Sequence, residues 1–329
     1  MTLHFSVLDL SPISEGSTGP QALQNTLDLA KHVDKLGYKR YWLAEHHNIS
    51  SIASSSPEIM IAMVASVTEN MRVGSGGIML PNHAPLKVAE TFKVLEGLFP
   101  GRIDLGIGRA PGTDMMTAQA LSRSSAEPQA FAQSIFDLIG WFSETGTAHS
   151  APIRSAVSAG TNVPIWVLGS TVNGASIAGQ LGLPFSLASH FAPDQIDQAI
   201  QVYREAFTTE APTAQIDEPY VMAGINVMVA DTDDEAEREF TVVEQMFLDV
   251  QTGQLRLIQP PIDPDQLAEQ GGHDQPMLKI KAVGTPQTVK KQLQEFVDRT
   301  DADELITVTY AFDPAVRDRS LKLLAETWF

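Results

Sequence analysis

The side chains able to do chemistry gather in short runs: Ala44-Glu45-His46-His47, Gly76-Gly77-Ile78-Met79-Leu80-Pro81-Asn82-His83, Gly106-Ile107-Gly108-Arg109, Gly169-Ser170-Thr171 and Ala188-Ser189-His190-Phe191. Glu45, His46 and His47 set a carboxylate beside two imidazoles, and imidazole is the side chain best placed to move protons near neutral pH. The same letters suit a metal site or a polar rim. In an extended chain neighbouring residues point to opposite sides, so His46 and His47 would not both aim inward without a bend. Gly76 and Gly77 interrupt an apolar run, leaving a side-chain gap that fits either the approach of a planar ligand or a barrel bulge. Arg109 lies between the small residues Gly108 and Ala110 and suits a two-pronged contact to a phosphate or carboxylate, with a surface arginine as the plain alternative. Gly169, Ser170 and Thr171 precede a helix, where free N–H groups and hydroxyls form an anion site, although ordinary capping explains the same letters. Gly106-x-Gly108 starts like a dinucleotide fingerprint, but the closing glycine position is Pro111 and the match fails. This inventory suits a protein that borrows an organic cofactor.

The elements that must position these runs alternate. Strand-like segments fall at His4–Asp9, Arg40–Leu43, Met71–Leu80, Ile103–Ile107, Pro164–Leu168, Phe185–Ala188, Tyr220–Ala230 and Glu304–Tyr310. Helical faces follow them, such as Leu23/Leu27/Ala30/Val33, Val88/Phe92/Leu95, Phe131/Ile135/Leu138 and Val289/Leu293/Phe296. Strict alternation implies a parallel sheet with right-handed crossovers, and eight units favour closure into a (β/α)8 TIM barrel. In such a barrel the carboxyl ends of the strands face the reaction, which is where the runs above fall. The reading is one domain over 1–329, with the proline-rich segment 251–286 as a lid or a surface insertion.

Composition narrows the function. The chain has 329 residues, 22 Lys+Arg against 40 Asp+Glu, and a net charge of −18. That argues against nucleic acid or an anionic membrane surface as partner. With no cysteine there is no thiolate nucleophile, disulfide or iron–sulfur cluster. Neither a secretory leader nor an apolar run of spanning length is seen, so a cytoplasmic location is expected.

Taken in order, the runs resemble the bacterial luciferase-like flavin monooxygenases, single-component subgroup. The likeness rests on Trp42-Leu43-Ala44-Glu45-His46-His47, Gly76 to His83, and Gly101-Arg102-Ile103-Asp104-Leu105-Gly106-Ile107-Gly108-Arg109. Gly169-Ser170-Thr171, Gly182-Leu183-Pro184 and the tail from Gly284-Thr285-Pro286 to Asp303-Glu304-Leu305 support it. The resemblance implies a barrel using reduced FMN and O2 to oxygenate a small organic substrate, an aldehyde being one candidate. It implies His46 as catalytic base, with Glu45 and His47 beside it. It also implies a non-prolyl cis peptide at Gly76–Gly77 beneath the flavin, and phosphate contacts from Arg109, Gly169, Ser170 and Thr171. A separate flavin reductase is expected, since no NAD fingerprint is present, and a homodimer is expected from the family's habit. The apolar helix Pro57–Thr68 suits that dimer or the core equally. Luciferase carries a reactive cysteine where this chain has Gly108, and for the family's second phosphate arginine Arg123 is only the nearest candidate. Two rival readings are a flavin-binding accessory protein without turnover and a metal-dependent barrel hydrolase using Glu45, His46, His47, His83 and His190.

Overall fold

Short runs of branched and aromatic residues, closed off by Gly, Pro and Ser, build a parallel barrel. A computed structural model describes residues 3–121, 124, 126–157, 160–273 and 275–328. Its strands are β1 (His4–Asp9), β2 (Arg40–Leu43), β3 (Arg72–Ser75), β4 (Ile78–Met79), β5 (Ile103–Gly108), β6 (Ile165–Gly169), β7 (Phe185–Leu187), β8 (Val221–Val229), β9 (Lys281–Gly284) and β10 (Glu304–Val308). The strands pair in parallel in the order β1-β2-β3-β5-β6-β7-β8, and β10 joins both β8 and β1, which closes the ring. This is the expected (β/α)8 barrel.

The helices are α1 (Gly19–Leu36), α2 (Pro57–Val67), α3 (Pro85–Leu98), α4 (Met115–Ala120), α5 (Pro128–Phe142), α6 (Val172–Gln180), α7 (Ile196–Ala206), α8 (Asp233–Thr252), α9 (Pro264–Glu269), α10 (Pro286–Thr300) and α11 (Pro314–Trp328). Several open on proline, whose fixed φ and missing N–H cost nothing at a first helical position. The helix α1 shows the whole logic: the Thr18 side chain accepts from Gln21 N–H, Leu29, Ala30 and Val33 are buried, and Gly37 ends it in a left-handed conformation at φ 89°. Among the described residues, no helix is long and apolar enough to cross a membrane.

Two departures from the sequence reading matter. The expected strand Met71–Leu80 is split into β3 and β4 around Ser75–Gly77, and β4 pairs only with β5. The segment 251–286 holds α9 and an unexpected strand, β9, which pairs with the second half of β8 while the first half pairs with β10. That segment is also stitched to the loop after β1. Glu15 N–H donates to Ile258 C=O at 2.8 Å, Ile258 N–H donates to Ile13 C=O at 2.9 Å, and the Ile258 side chain is buried.

Side chains alternate across the barrel wall. Val7, Tyr41, Val73, Leu105, Val167 and Ala223 face the helices, and Leu8, Trp42, Trp166, Met222 and Ile306 form the inner layer. Trp42 and Trp166 meet edge to face at 5.3 Å, although β2 and β6 are not neighbours, so the contact crosses the lumen. At the N-terminal end the lumen is closed by charge. The Arg40 guanidinium donates to Asp104 at 2.6 Å and to Glu304 at 3.0 Å, and Arg72 Nε donates to the other Asp104 oxygen at 2.8 Å. Tyr220 OH and Ser6 Oγ complete Glu304, and the Arg40 guanidinium lies 4.7 Å from the Trp166 ring. Burial pushes the Asp104 carboxyl up, but the adjacent Arg40 and Arg72 guanidiniums outweigh it and hold Asp104 below its ordinary range.

Candidate active site

The C-terminal end of the barrel is built differently, from glycine and imidazole. The backbones of β3 and β5 come so close that side chains are excluded. A Cβ on Gly106 would lie 2.1 Å from the Ser75 carbonyl oxygen, and one on Gly77 would lie 2.7 Å from that of Gly106. At Gly76 it would strike Leu8 Cδ1 at 2.6 Å. Backbone packing therefore suffices to demand glycine at 77 and 106, whereas at 76 the nearest atom is the end of a flexible side chain. The Gly76–Gly77 peptide is cis, as the resemblance implied. The result is a stretch of inner wall with no side chains on it.

Beyond β2 the chain presents Glu45, His46 and His47 in alternation. Glu45 and His47 fall on one side and bond to each other, His47 Nε2 to Glu45 Oε1 at 3.0 Å. Glu45 is fully buried and gathers further partners from the segment after β4. Met79 N–H donates to Oε2 at 2.8 Å, Asn82 Nδ2 to Oε1 at 3.0 Å, and His83 Nε2 sits 2.9 Å from Oε2. Burial would raise this carboxyl, but the bonds from His83, His47 and Met79 outweigh it and hold Glu45 below the usual carboxylate range. His83 moves the other way, raised by its bond to Glu45 against the effect of burial. With the carboxylate saturated, Glu45 is suited to pinning the β2 and β4 ends together, not to passing protons.

The geometry also bears on the metal reading. His47 and His83 each direct Nε2 at the Glu45 oxygens, and among the described residues no group of His, Asp and Glu is arranged to hold an ion. His46 stands apart on the opposite side. Its backbone N–H donates to Ser54 C=O at 2.9 Å, and its Nδ1 is buried with no hydrogen-bond partner. Burial drives its imidazole down to about 4, partly opposed by Glu45 and reinforced by His47, so it is neutral at pH 7. His190, beyond β7, is a second imidazole of the same kind. Its Nδ1 is buried and unpartnered, and burial together with the nearby His46 lowers it to about 4.

The remaining sequence candidates lie on the β5–β6 side. Arg109 follows β5 directly and is half-buried. Gly169 ends β6, and Ser170 and Thr171 lead into α6. Thr171 occupies the N-cap position, yet its side chain makes no capping hydrogen bond, so the ordinary capping explanation does not hold for it. The Val172 N–H, first in α6, donates to Gln195 Oε1 at 3.4 Å, so an anion there would draw on the Thr171 hydroxyl and the N–H groups that follow. Arg123 lies outside the described residues. Sequence reasoning did not see Asn82 as a partner of Glu45, nor Asn226, whose Nδ2 donates to the His190 carbonyl at 2.6 Å. An asparagine in the middle of the apolar run Val221–Val229 was the available signal for the latter.

A family model described as luciferase-like monooxygenase matches residues 3–303. A luciferase-like monooxygenase of Escherichia coli K12 is 43% identical over 327 residues, covering 98% of this chain and 96% of its own. The crystal structure of apo-MsnO8 superposes with a TM-score of 0.88 at 33% identity, covering 99% of this chain and 98% of that one. The oxygenating constituent of 3,6-diketocamphane monooxygenase from Pseudomonas putida, solved with FMN, has a TM-score of 0.73 at 19% identity, covers 99% of this chain and 97% of its own, and shares the fold. A glycine-walled barrel mouth, with a match over nearly the whole chain, makes this protein a member of the luciferase-like monooxygenase family of flavin-dependent oxidoreductases.

Proposed function

We propose that the protein uses reduced FMN and O2 to oxygenate a small organic substrate, an aldehyde among the candidates. The observation that carries this reading is the pairing of a side-chain-free wall at Gly76 and Gly77 with a neutral, unpartnered imidazole at His46. Arg109, Gly169, Ser170 and Thr171 would hold the phosphate, the arginine by charge-assisted bonds and the others through the N-terminus of α6. Reduced FMN would supply the two electrons that let one oxygen atom of O2 enter the substrate and the other leave as water. The chain's own tasks are to keep the mouth dry and to hold a proton at His46, while Glu45, clamped by His47, Asn82 and His83, fixes the strand end that carries it. His47 serves that clamp.

Reduced flavin would come by diffusion from a separate reductase. A homodimer is proposed through α2 and α3, which pack together and leave Ile59, Met63, Val94 and Leu98 in solvent, Leu98 at 64% exposure. An anion cradle and a bare wall suit a phosphorylated deazaflavin such as F420 as well as FMN. Titration with oxidised and reduced FMN and with F420, followed by aldehyde-dependent O2 uptake, separates these. The reading requires FMN to bind and His46→Ala to lose at least about tenfold in turnover while still binding it. Unchanged turnover removes His46 from the mechanism, and tight binding of F420 alone replaces the cofactor.

A further inference from the structure

His46 and His190 enter the mouth from opposite walls. Each stands three residues beyond its strand, and β2 and β7 are four places apart in the ring. His190 is fixed with some care. Asn226 Nδ2 on the inner face of β8 donates to its carbonyl, Phe191 meets its ring edge-on at 4.9 Å, and Ser189 Oγ donates to Gly224 C=O at 2.6 Å. Its ring sits against Gly224, where a Cβ would fall 2.3 Å from Nδ1. Any other residue at position 224 would evict the imidazole, so β8 forms a seat for it.

That seat decides where the imidazole carries its proton. The glycine hydrogen occupying the Cβ direction points at Nδ1, a weak C–H donor meeting a lone pair. A proton on Nδ1 would instead be a buried donor without an acceptor, the rarer kind of orphan in native proteins. The proton therefore belongs on Nε2, which makes no hydrogen bond among the described residues and is not among the buried unpartnered atoms, so it reaches open space.

We propose that His190, through Nε2–H, is a specificity-determining residue that holds a neutral oxygen acceptor of the organic substrate, a carbonyl, on the wall facing His46. This rests on reading the mouth as the site of a flavin and a second molecule. A flavin ring carries carbonyl oxygens of the same chemistry, and the test separates the two sources.

The probes are cyclohexanone, its apolar analogue methylcyclohexane, and FMN, each titrated into the intact protein. Nitrogen-15 spectra of the histidine side chains at pH 7.5 should show His190 protonated on Nε2 only, and cyclohexanone but not methylcyclohexane should move that signal. Cyclohexanone affinity should fall by up to about tenfold in His190→Phe and return in His190→Gln, which restores an N–H donor. FMN affinity should stay within about twofold of wild type in both variants. An Nδ1-protonated ring, no response of wild type to cyclohexanone, or equal affinity in His190→Phe overturns the proposal, and a large loss of FMN affinity reassigns His190 to the cofactor. Should wild type bind no FMN, the flavin reading fails, while the cyclohexanone comparison still decides the role of His190.

Discussion

The buried imidazole of His46 gives a prediction with a worked magnitude. An unfolded chain holds its histidines near pKa 6.5, and burial brings His46 down to about 4. Between those values the unfolded state binds the extra proton, so this residue's contribution is neutral above pH 6.5 and stability is lost as the pH falls toward 4. At about 1.4 kcal/mol per unit, the full separation amounts to roughly 3 kcal/mol, of which about 2 kcal/mol is expressed between pH 8 and pH 5. Stopping at pH 5 leaves Asp9, Asp104 and Glu45 ionised, since each is held below its ordinary value. The assay is urea unfolding of wild type and His46→Gln at both pH values. The variant should lose about 2 kcal/mol less than wild type over that interval, with the titration of all other groups cancelling in the difference. Equal losses in the two proteins would mean that His46 is solvated, and the argument for a neutral imidazole at the mouth would fall.

Three further outcomes follow from the same geometry. Arg40→Met strips the ionic layer at the N-terminal end of the barrel of its central cation and should cost about 3–5 kcal/mol of unfolding free energy by denaturant titration. Glu45→Gln should lower the titration midpoint of His83 toward its ordinary value, read by proton NMR, because the carboxylate is what raises it. The ion pair it forms with His83 lends stability above the unfolded Glu45 value, an advantage lost as pH rises through the His83 midpoint, so the variant should be less favoured at pH 6 than at pH 9. Arg109→Ala should weaken FMN binding by about tenfold or more while leaving riboflavin, which lacks the phosphate, unaffected in a fluorescence titration; equal effects on both ligands would remove Arg109 from the phosphate site.

The barrel was legible because its signal is periodic. Alternation of short apolar runs with helical faces repeats along the chain, and the turn residues mark each boundary, as Gly37 does after α1. The site was legible only as strand ends. The sequence could mark Glu45 but not its saturation, because the residues that saturate it, Asn82 and His83, stand as far as 38 positions away and meet it through the fold. The glycines at 76 and 77 were read partly as room for a ligand, whereas at 77 the close approach of the Gly106 backbone already requires one. The strand β9 escaped notice because four residues of mixed character between prolines carry no periodicity. Arg40, Asp104 and Glu304 were invisible as a group for the same reason as the Glu45 clamp, since they stand up to 264 positions apart and meet only through the fold.

The ionic layer of Arg40, Arg72, Asp104 and Glu304 has a consequence for how this molecule can change. It fastens strands at one rim of the cylinder, with bonds that owe nothing to the loops at the other. Substitutions that reshape the far rim for a new substrate thus draw on a reserve of stability held elsewhere, and a lineage could trade one guest for another without first unlocking its foundation.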